Sequence, residues 1–343
     1  MTAPILSEFS RRAMATNFVM MIPGIFGKNT ETAVSALAEV DRIESLLSVY
    51  RPDSDISRLN RAAGQSPVPI SPDTFQVLQR ATELSHLTGG AFDITAGPLV
   101  DAWGFTKRQG AKPSQEILLR AQKKVDFTKL VLNQEMGTAE LRESEMTINL
   151  GAIGKGFALD FIAERLESAG LSNFLIHGGK SSVLVRGDDV PGSGQGWKIA
   201  LEHPQIPGKR LGGLRLKNES IGTSGSGTQF FHHQGKRLGH VIDPRTGWPA
   251  GDLLSLTAVA RSAMDADALA TAMFVMGCAE AIAFAERLSA TSNASQAFQE
   301  IPVLDDAMWR TGPLGVVAIV PTGRQAEVTV RRSGLRDDLW IDE

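Results

Sequence analysis

The sequence predicts an α+β fold. Helical periodicity gathers in the first third of the chain, strand-like runs gather in the middle, and the regular strand–helix alternation of a wound parallel sheet is missing. No stretch rich in Pro, Gly or Ser divides the 343 residues, and no internal repeat is visible.

The elements follow in order. Val34, Leu37, Val40, Ile43 and Leu47 recur at three- and four-residue spacing and predict an amphipathic helix over residues 30–47. Ser71-Pro72 opens a second helix, with Pro in its first turn, that stops at Thr88-Gly89-Gly90. Ser114 caps a third over residues 115–124. Short strands are predicted at 129–132, 138–142 and 146–150, and a helix over 155–169 follows. Strands then alternate with turns at 174–177, 182–186, 197–201, 215–221 and 254–260. Two helices, 263–276 and 279–288, precede a polar segment at 289–299, a surface loop or a frayed helix end, and a last strand pair at 314–320 and 327–330.

Composition narrows the function classes. Hydrophobic residues make up 42% and charged residues 21%, which suits a globular chain with a sizeable core. The net charge of −3 gives no general attraction to nucleic acid, and the lone tyrosine, Tyr50, offers no stacking platform for single strands. The lone Cys278 excludes an intrachain disulfide and a Cys-rich metal site. No run is apolar for long enough to span a bilayer, and the first residues carry no export signal. The chain as written is therefore expected in the cytoplasm, or in the periplasm or at a membrane if a precursor was trimmed.

Several segments carry chemistry. Ala266 to Ala272 reads as helix, so Asp267 and Thr271 lie one turn apart on one face. An acid and a hydroxyl so placed can hold a hard cation such as Mg²⁺, or can be an exposed Asp and a Thr bonded back to its own helix. Asn149 to Gly156 joins a strand to a helix and resembles a phosphate-binding loop, but lacks its first glycine and its terminal hydroxyl residue. Thr88 to Leu99 is a loop of small residues with one carboxylate, Asp93. Ile221 to Gly227 combines hydroxyls and glycines, either as donors to phosphate or as a flexible turn. His240 opens a tight turn that runs to Pro249 and is either a ligand contact or a structural histidine. Tyr50 sits where the first helix ends and can stack on a heteroaromatic ring.

Taken in order, these segments resemble the FAD:protein FMN transferases, the ApbE-type flavin transferases. The resemblance runs through Met14-Ala15-Thr16, Ser48 and Tyr50, Ile56 to Asn60, Thr88 to Asp93, Gly97 to Leu99, Trp103 to Phe105 and Leu150 to Gly156 with Asp160. It continues through Gly178-Gly179, Thr223 to Gly225, His240 to Gly247 and Ala266 to Thr271. It covers roughly residues 14–280 and implies one ApbE-like unit over 1–343, with mixed or antiparallel sheets flanked by helices and C-terminal strands and tail in 290–343. Asn149 stands where the family usually has Asp, Gly154 where it has Ala, Lys180 where an acid is common, and Ser226-Gly227 where an acid and an aromatic are usual.

The resemblance also implies a reaction: Mg²⁺-dependent transfer of the FMN half of FAD to a threonine hydroxyl of an acceptor protein, with release of AMP. FAD is then a substrate, and the acceptor carries a Thr-containing flavinylation motif. By this likeness Asp267, Thr271 and the Gly154 carbonyl hold the metal. FAD meets Met14, Tyr50, Ala91, Phe92, Asp93, Gly151, Lys155, Asp160, Gly178, Gly179, Ser224, His240 and Ile242. Tyr50 would stack on the adenine, Asp160 would bond to it, and His240 and Asp267 are the catalytic candidates. Mg²⁺-dependent hydrolysis of FAD to FMN and AMP, a flavin-binding protein without turnover, and a homodimer stay open.

Overall fold

The structure is a computed structural model that describes residues 5–24, 28–106, 110–225, 230–291, 314–323, 326–336 and 338–342. Its centre is a sheet of eight strands among the described residues: β1 (Leu6–Ala13), β2 (Thr16–Pro23), β3 (Phe174–Gly178), β4 (Ser182–Arg186), β5 (Ser220–Gly225), β6 (Ser255–Ala260), β7 (Gly315–Pro321) and β8 (Val328–Ser333). The strands lie side by side in chain order, and every neighbouring pair is antiparallel. Among the described residues, the other helices and strands are excursions between neighbours, except Trp340–Ile341, which follows the last strand.

The near-continuous apolar runs of the middle strands have a direct cause: both faces of the sheet are covered. Phe174, Ile176, Leu184, Leu256, Ala258, Val316 and Ala318 point into the main core. Their alternates Leu175, Val183, Val185, Ile221, Val259 and Val317 pack with Trp197, Leu201, Leu214 and Leu216 in a second one. That second layer is a three-stranded sheet of Trp197–Glu202, Arg210–Leu216 and Trp340–Ile341. Helices supply the first layer: α1 (Lys28–Leu47), α2 (Asp55–Arg61), α3 (Pro72–Leu87), α6 (Gly154–Ser168), α7 (Ala263–Met276) and α8 (Cys278–Thr291), while α4 (Gly97–Ala102) and α5 (Gln115–Gln122) bury their apolar side chains in a smaller core with Trp103 and Phe105. Ser71 and Ser114 cap α3 and α5 as expected, accepting from the N–H groups of Thr74 and Ile117.

The α+β expectation holds, with local corrections. Val34 is exposed, and the buried stripe of α1 runs instead through Ala33, Ala36, Leu37, Val40, Ile43 and Leu47. The strand expected at 215–221 is two strands of different sheets, separated by a turn in which Asn218 adopts φ +56°. Residues 146–150 form no strand. Their extended backbone is held by a side chain: Asn60 Nδ2 donates to the Ile148 carbonyl (3.0 Å) and Asn60 Oδ1 accepts from its N–H (2.7 Å). Ile148 is buried, so Asn60→Ala leaves a peptide group unpaired out of reach of water. We expect that variant to lose about 2 kcal/mol of stability, read from urea unfolding midpoints. Two hairpins were not foreseen, β1–β2 and the pair Phe230–His233 with Lys236–Gly239. Of the segment expected at 289–299 as a loop or a helix end, residues 289–291 are the end of α8, and the rest lies outside the described residues.

Candidate active site

The site is built around α7, which is wedged between β5 and α6 at two glycines. A Cβ on Gly156 would stand 2.1 Å from the Ala263 carbonyl oxygen and 2.6 Å from Met264 Cα. A Cβ on Gly222 would stand 2.3 Å from the Ala266 oxygen and 2.5 Å from the Asp267 nitrogen. Only glycine permits either approach. The start of α7 is also pinned by charge. Ser262 caps it. Asp160, from α6, accepts from Ser262 Oγ (2.7 Å), Ala263 N (2.8 Å) and Met264 N (2.9 Å). Buried Arg80 grips both oxygens of Asp265 at 2.7 Å and Glu83 at 2.8 Å.

This frame holds Asp267 in a buried position, 6% exposed, where Oδ2 accepts from the Gly156 N–H (2.9 Å) and stands 3.9 Å from Lys155 Nζ. Burial pushes its carboxyl above the ordinary carboxylate range, against the opposing pull of the Lys155 ammonium, the Ser182 hydroxyl and the Gly156 N–H. Thr271 Oγ1 lies one turn on, bonded to Ser224 Oγ (2.9 Å) and donating to the Asp267 carbonyl (3.2 Å). Of the structural alternative for this helix face, one half holds and one does not: the threonine does bond back to its helix, but the acid is buried rather than exposed.

Two cavities meet here. The larger, about 850 Å³, is lined by Ala91, Phe92, Asp93, Gly179, Ser224, His240, Ile242, Asp267 and Thr271 among others. The smaller, about 360 Å³, is lined by Met14, Glu44, Tyr50, Arg51 and Gly154. Ala15, Asn149, Gly151 and Lys155 belong to both, so the two share a wall at the start of α6. Asn149 Oδ1 folds that wall by accepting from the Gly151 N–H (2.9 Å). Tyr50 is 79% exposed at the rim of the smaller cavity. Met14 and Ala15 form the two-residue turn of the β1–β2 hairpin, both with positive φ (49° and 59°), and Glu44 Oε1 accepts the Met14 N–H at 2.7 Å. Side chains rarely adopt this backbone, and strain kept at a cavity wall is a mark of a working site.

His240 enters the larger cavity from a clamped turn. The Asp243 N–H donates to the Trp248 carbonyl (2.8 Å), the Ala250 N–H to the Val241 carbonyl (2.9 Å) and Trp103 Nε1 to the Gly247 carbonyl (2.8 Å). Ile242 packs with Leu99, Trp103 and Phe105 in a third core, and the His240 ring stands edge-on to Phe105 at 6.4 Å. The turn therefore aims the imidazole with little freedom.

Not every expected residue joins the site. Asp160 lines neither cavity, and its oxygens are taken by the start of α7, so no oxygen is left facing an adenine. Burial raises its carboxyl to about 6. Gly178 also lines neither; it makes room for the Phe18 ring, 3.1 Å from where a Cβ would sit. Gly154 lies in the smaller cavity, whereas Asp267 and Thr271 lie in the larger. Asp93 reaches the larger cavity, but its oxygens accept from Thr95 N and Thr95 Oγ1 (both 2.7 Å) and Phe127 N (3.2 Å), bracing its loop. Ser226-Gly227 lies outside the described residues. Ala15 and Asn149 were not among the expected ligand contacts, although their neighbours in sequence, Met14 and Gly151, were. Among the described residues no group of three or more His, Cys, Asp or Glu gathers, and no helix is long and apolar enough to cross a membrane.

Comparison with known proteins gives the family and the fold. The model of the ApbE family matches residues 14–294. The FAD:protein FMN transferase of Haemophilus influenzae is 34% identical over 273 residues, covering 76% of this chain and 78% of that protein. The enzyme of the same name from Escherichia coli K12 is 32% identical over 273 residues, covering 78% and 77%. Among solved structures, the flavin transferase ApbE of Vibrio cholerae superposes with a TM-score of 0.76 at 27% identity, over 96% of this chain and 97% of that one. The ApbE protein of Thermotoga maritima shares the fold with a TM-score of 0.77 at 24% identity, over 96% and 97%. The chain belongs to the ApbE family and is a transferase.

Proposed function

We propose that the protein is an FAD:protein FMN transferase that moves the FMN half of FAD to a threonine hydroxyl of an acceptor protein and releases AMP. The observation that carries this reading is the pair of cavities joined at the start of α6. FAD is two ring systems joined by a pyrophosphate, and a helix N-terminus favours anions. The adenine half fits beside Tyr50 and Met14, the pyrophosphate lies along Gly151 and Lys155, and the flavin half fits the larger cavity near Phe92, Ile242 and His240.

A divalent cation suits Asp267 and Thr271. The carboxylate is buried with one N–H and a distant ammonium for company, so positive charge at this point offsets the cost of burial. Their side-chain oxygens match the preference of Mg²⁺ for hard donors. Bound there, the cation would neutralise charge on the pyrophosphate and its leaving AMP. This chain's residues do the rest by position: Lys155 draws the anion toward α7, His240 accepts the proton of the incoming hydroxyl, and Phe92 and Ile242 keep an apolar wall against water. No enzyme nucleophile is needed, because phosphoryl transfer depends on placement and charge.

The test is to incubate the protein with FAD, Mg²⁺ and an acceptor bearing a Thr-containing flavinylation motif. The expected result is an acceptor heavier by one FMN residue, with one free AMP released per transfer. Free FMN and AMP with an unchanged acceptor would mark a hydrolase, and intact FAD would mark a carrier. Because the smaller cavity reads the adenine, calorimetry should also show FAD binding more tightly than FMN, with Tyr50→Ala narrowing the gap; equal affinities for the two flavins would refute the assignment of that cavity.

A further inference from the structure

Beside Asp267 lies a hydroxyl that neither the sequence nor the reading above puts to use. Ser182 opens β4, is fully buried, and its Oγ has no hydrogen-bond partner. A buried hydroxyl without a partner costs free energy, so its presence calls for a cause. The sheet register says where it points. Val183 and Val185 face the second core, so Ser182 and Leu184 face the helices. Ser182 pairs with Gly222, the glycine whose missing Cβ admits the backbone of Asp267. The hydroxyl is thus among the groups that bear on the Asp267 carboxylate, while the hydrogen bond fully formed on Oδ2 is the one from the Gly156 N–H.

Resting on the metal site proposed at Asp267, we propose that Ser182 is the positioning residue for that carboxylate: its hydroxyl donates to Asp267 in the cation-bound protein and fixes the oxygen that ligates the metal. Such outer partners of metal ligands hold the ligand's orientation and raise its affinity. The arrangement accounts for the orphan. The carboxylate accepts from the Gly156 N–H through Oδ2, and the buried Ser182 hydroxyl on the facing strand has no other group to serve. A cation held by Asp267 and Thr271 would need that carboxylate fixed, and the Ser182 hydroxyl would supply the second donor that fixes it. Removing the hydroxyl should then cost nothing in the metal-free fold and should weaken the metal.

The experiment titrates Mn²⁺, as a stand-in for Mg²⁺, into the full chain without FAD, following unbound Mn²⁺ by electron paramagnetic resonance. It compares wild type, Asp267→Asn, Ser182→Ala and Ser182→Cys, and records each variant's melting temperature without metal. Wild type should bind and Asp267→Asn should not. Ser182→Ala should bind about 10- to 100-fold more weakly while melting at the wild-type temperature or above. Ser182→Cys, which keeps the volume and a weaker donor, should fall between. Equal Mn²⁺ affinity in wild type and Ser182→Ala overturns the proposal and leaves the metal site standing. A wild type that binds no better than Asp267→Asn overturns the metal site, and the proposal with it. If Ser182→Ala melts lower, the cysteine variant decides: wild-type affinity there makes Ser182 a packing residue, and intermediate affinity supports the proposal.

Discussion

Asp267→Asn should abolish turnover of FAD while leaving the fold intact. The amide keeps an oxygen to accept the Gly156 N–H, so the contact between α6 and α7 survives. What it removes is the one carboxylate at the proposed cation site. A metal clamp on a phosphoryl group is worth several kcal/mol, and at 1.36 kcal/mol per tenfold the rate of AMP release should fall about 10³-fold or more. Stability should move the other way. Burial holds the folded Asp267 carboxyl above its unfolded value. Unfolding therefore releases a proton at intermediate pH, and this group's contribution is full below the ordinary carboxylate range and lost as pH rises above it. Asparagine does not titrate, so the metal-free variant should melt at or above the wild-type temperature at neutral pH and lose that part of the slope. AMP release at the wild-type rate in Mg²⁺ would remove Asp267 from the chemistry.

His240→Ala should slow the chemical step far more than it weakens FAD. A general base that takes the proton of the incoming hydroxyl contributes about 10²–10⁴-fold. The turn that carries it is held by the Trp103 indole, by the Asp243 and Ala250 N–H groups and by buried Ile242, none of which needs the imidazole. Losing the ring should therefore leave the cavity wall in place. Single-turnover AMP release beside calorimetric FAD affinity separates the cases. A slow rate with near-normal affinity makes His240 the base. A parallel fall of both makes it a wall against the flavin, and an unchanged rate constant takes it out of the mechanism.

Much of this was legible because short-range chemistry carries it. The caps at Ser71 and Ser114, the helix face of Asp267 and Thr271 and the strands 174–186 depend on neighbours within a turn or a pleat. Most of the failures share a cause: they depend on a distant partner. Residues 146–150 have strand-like alternation, but Asn60 satisfies their backbone in place of a strand. The β1–β2 hairpin escaped notice because Met14-Ala15 is not a sequence that favours a turn with both φ positive. Gly156 read as part of a phosphate loop, whereas its reason is the Ala263 carbonyl more than a hundred positions later. Asp160 lay among ligand residues in sequence and caps a different helix in space. No local signal marked Ser182, which reads only as the polar start of a strand.

The sheet that follows chain order sets a timetable for synthesis. β1 and β2 leave the ribosome first, but the strand that pairs with β2 begins only at Phe174. Until then the hairpin carries Phe18, Met20 and Ile22 beside an open row of peptide groups, a ready template for another chain. At a translation rate of about 5–20 residues per second, that edge stays open for roughly 10–30 s. The remaining strands close on neighbours made soon before or after them. Recombinant yield of this chain should thus hinge less on the stability of the finished sheet than on what shields its first hairpin while the helical excursion is still being made.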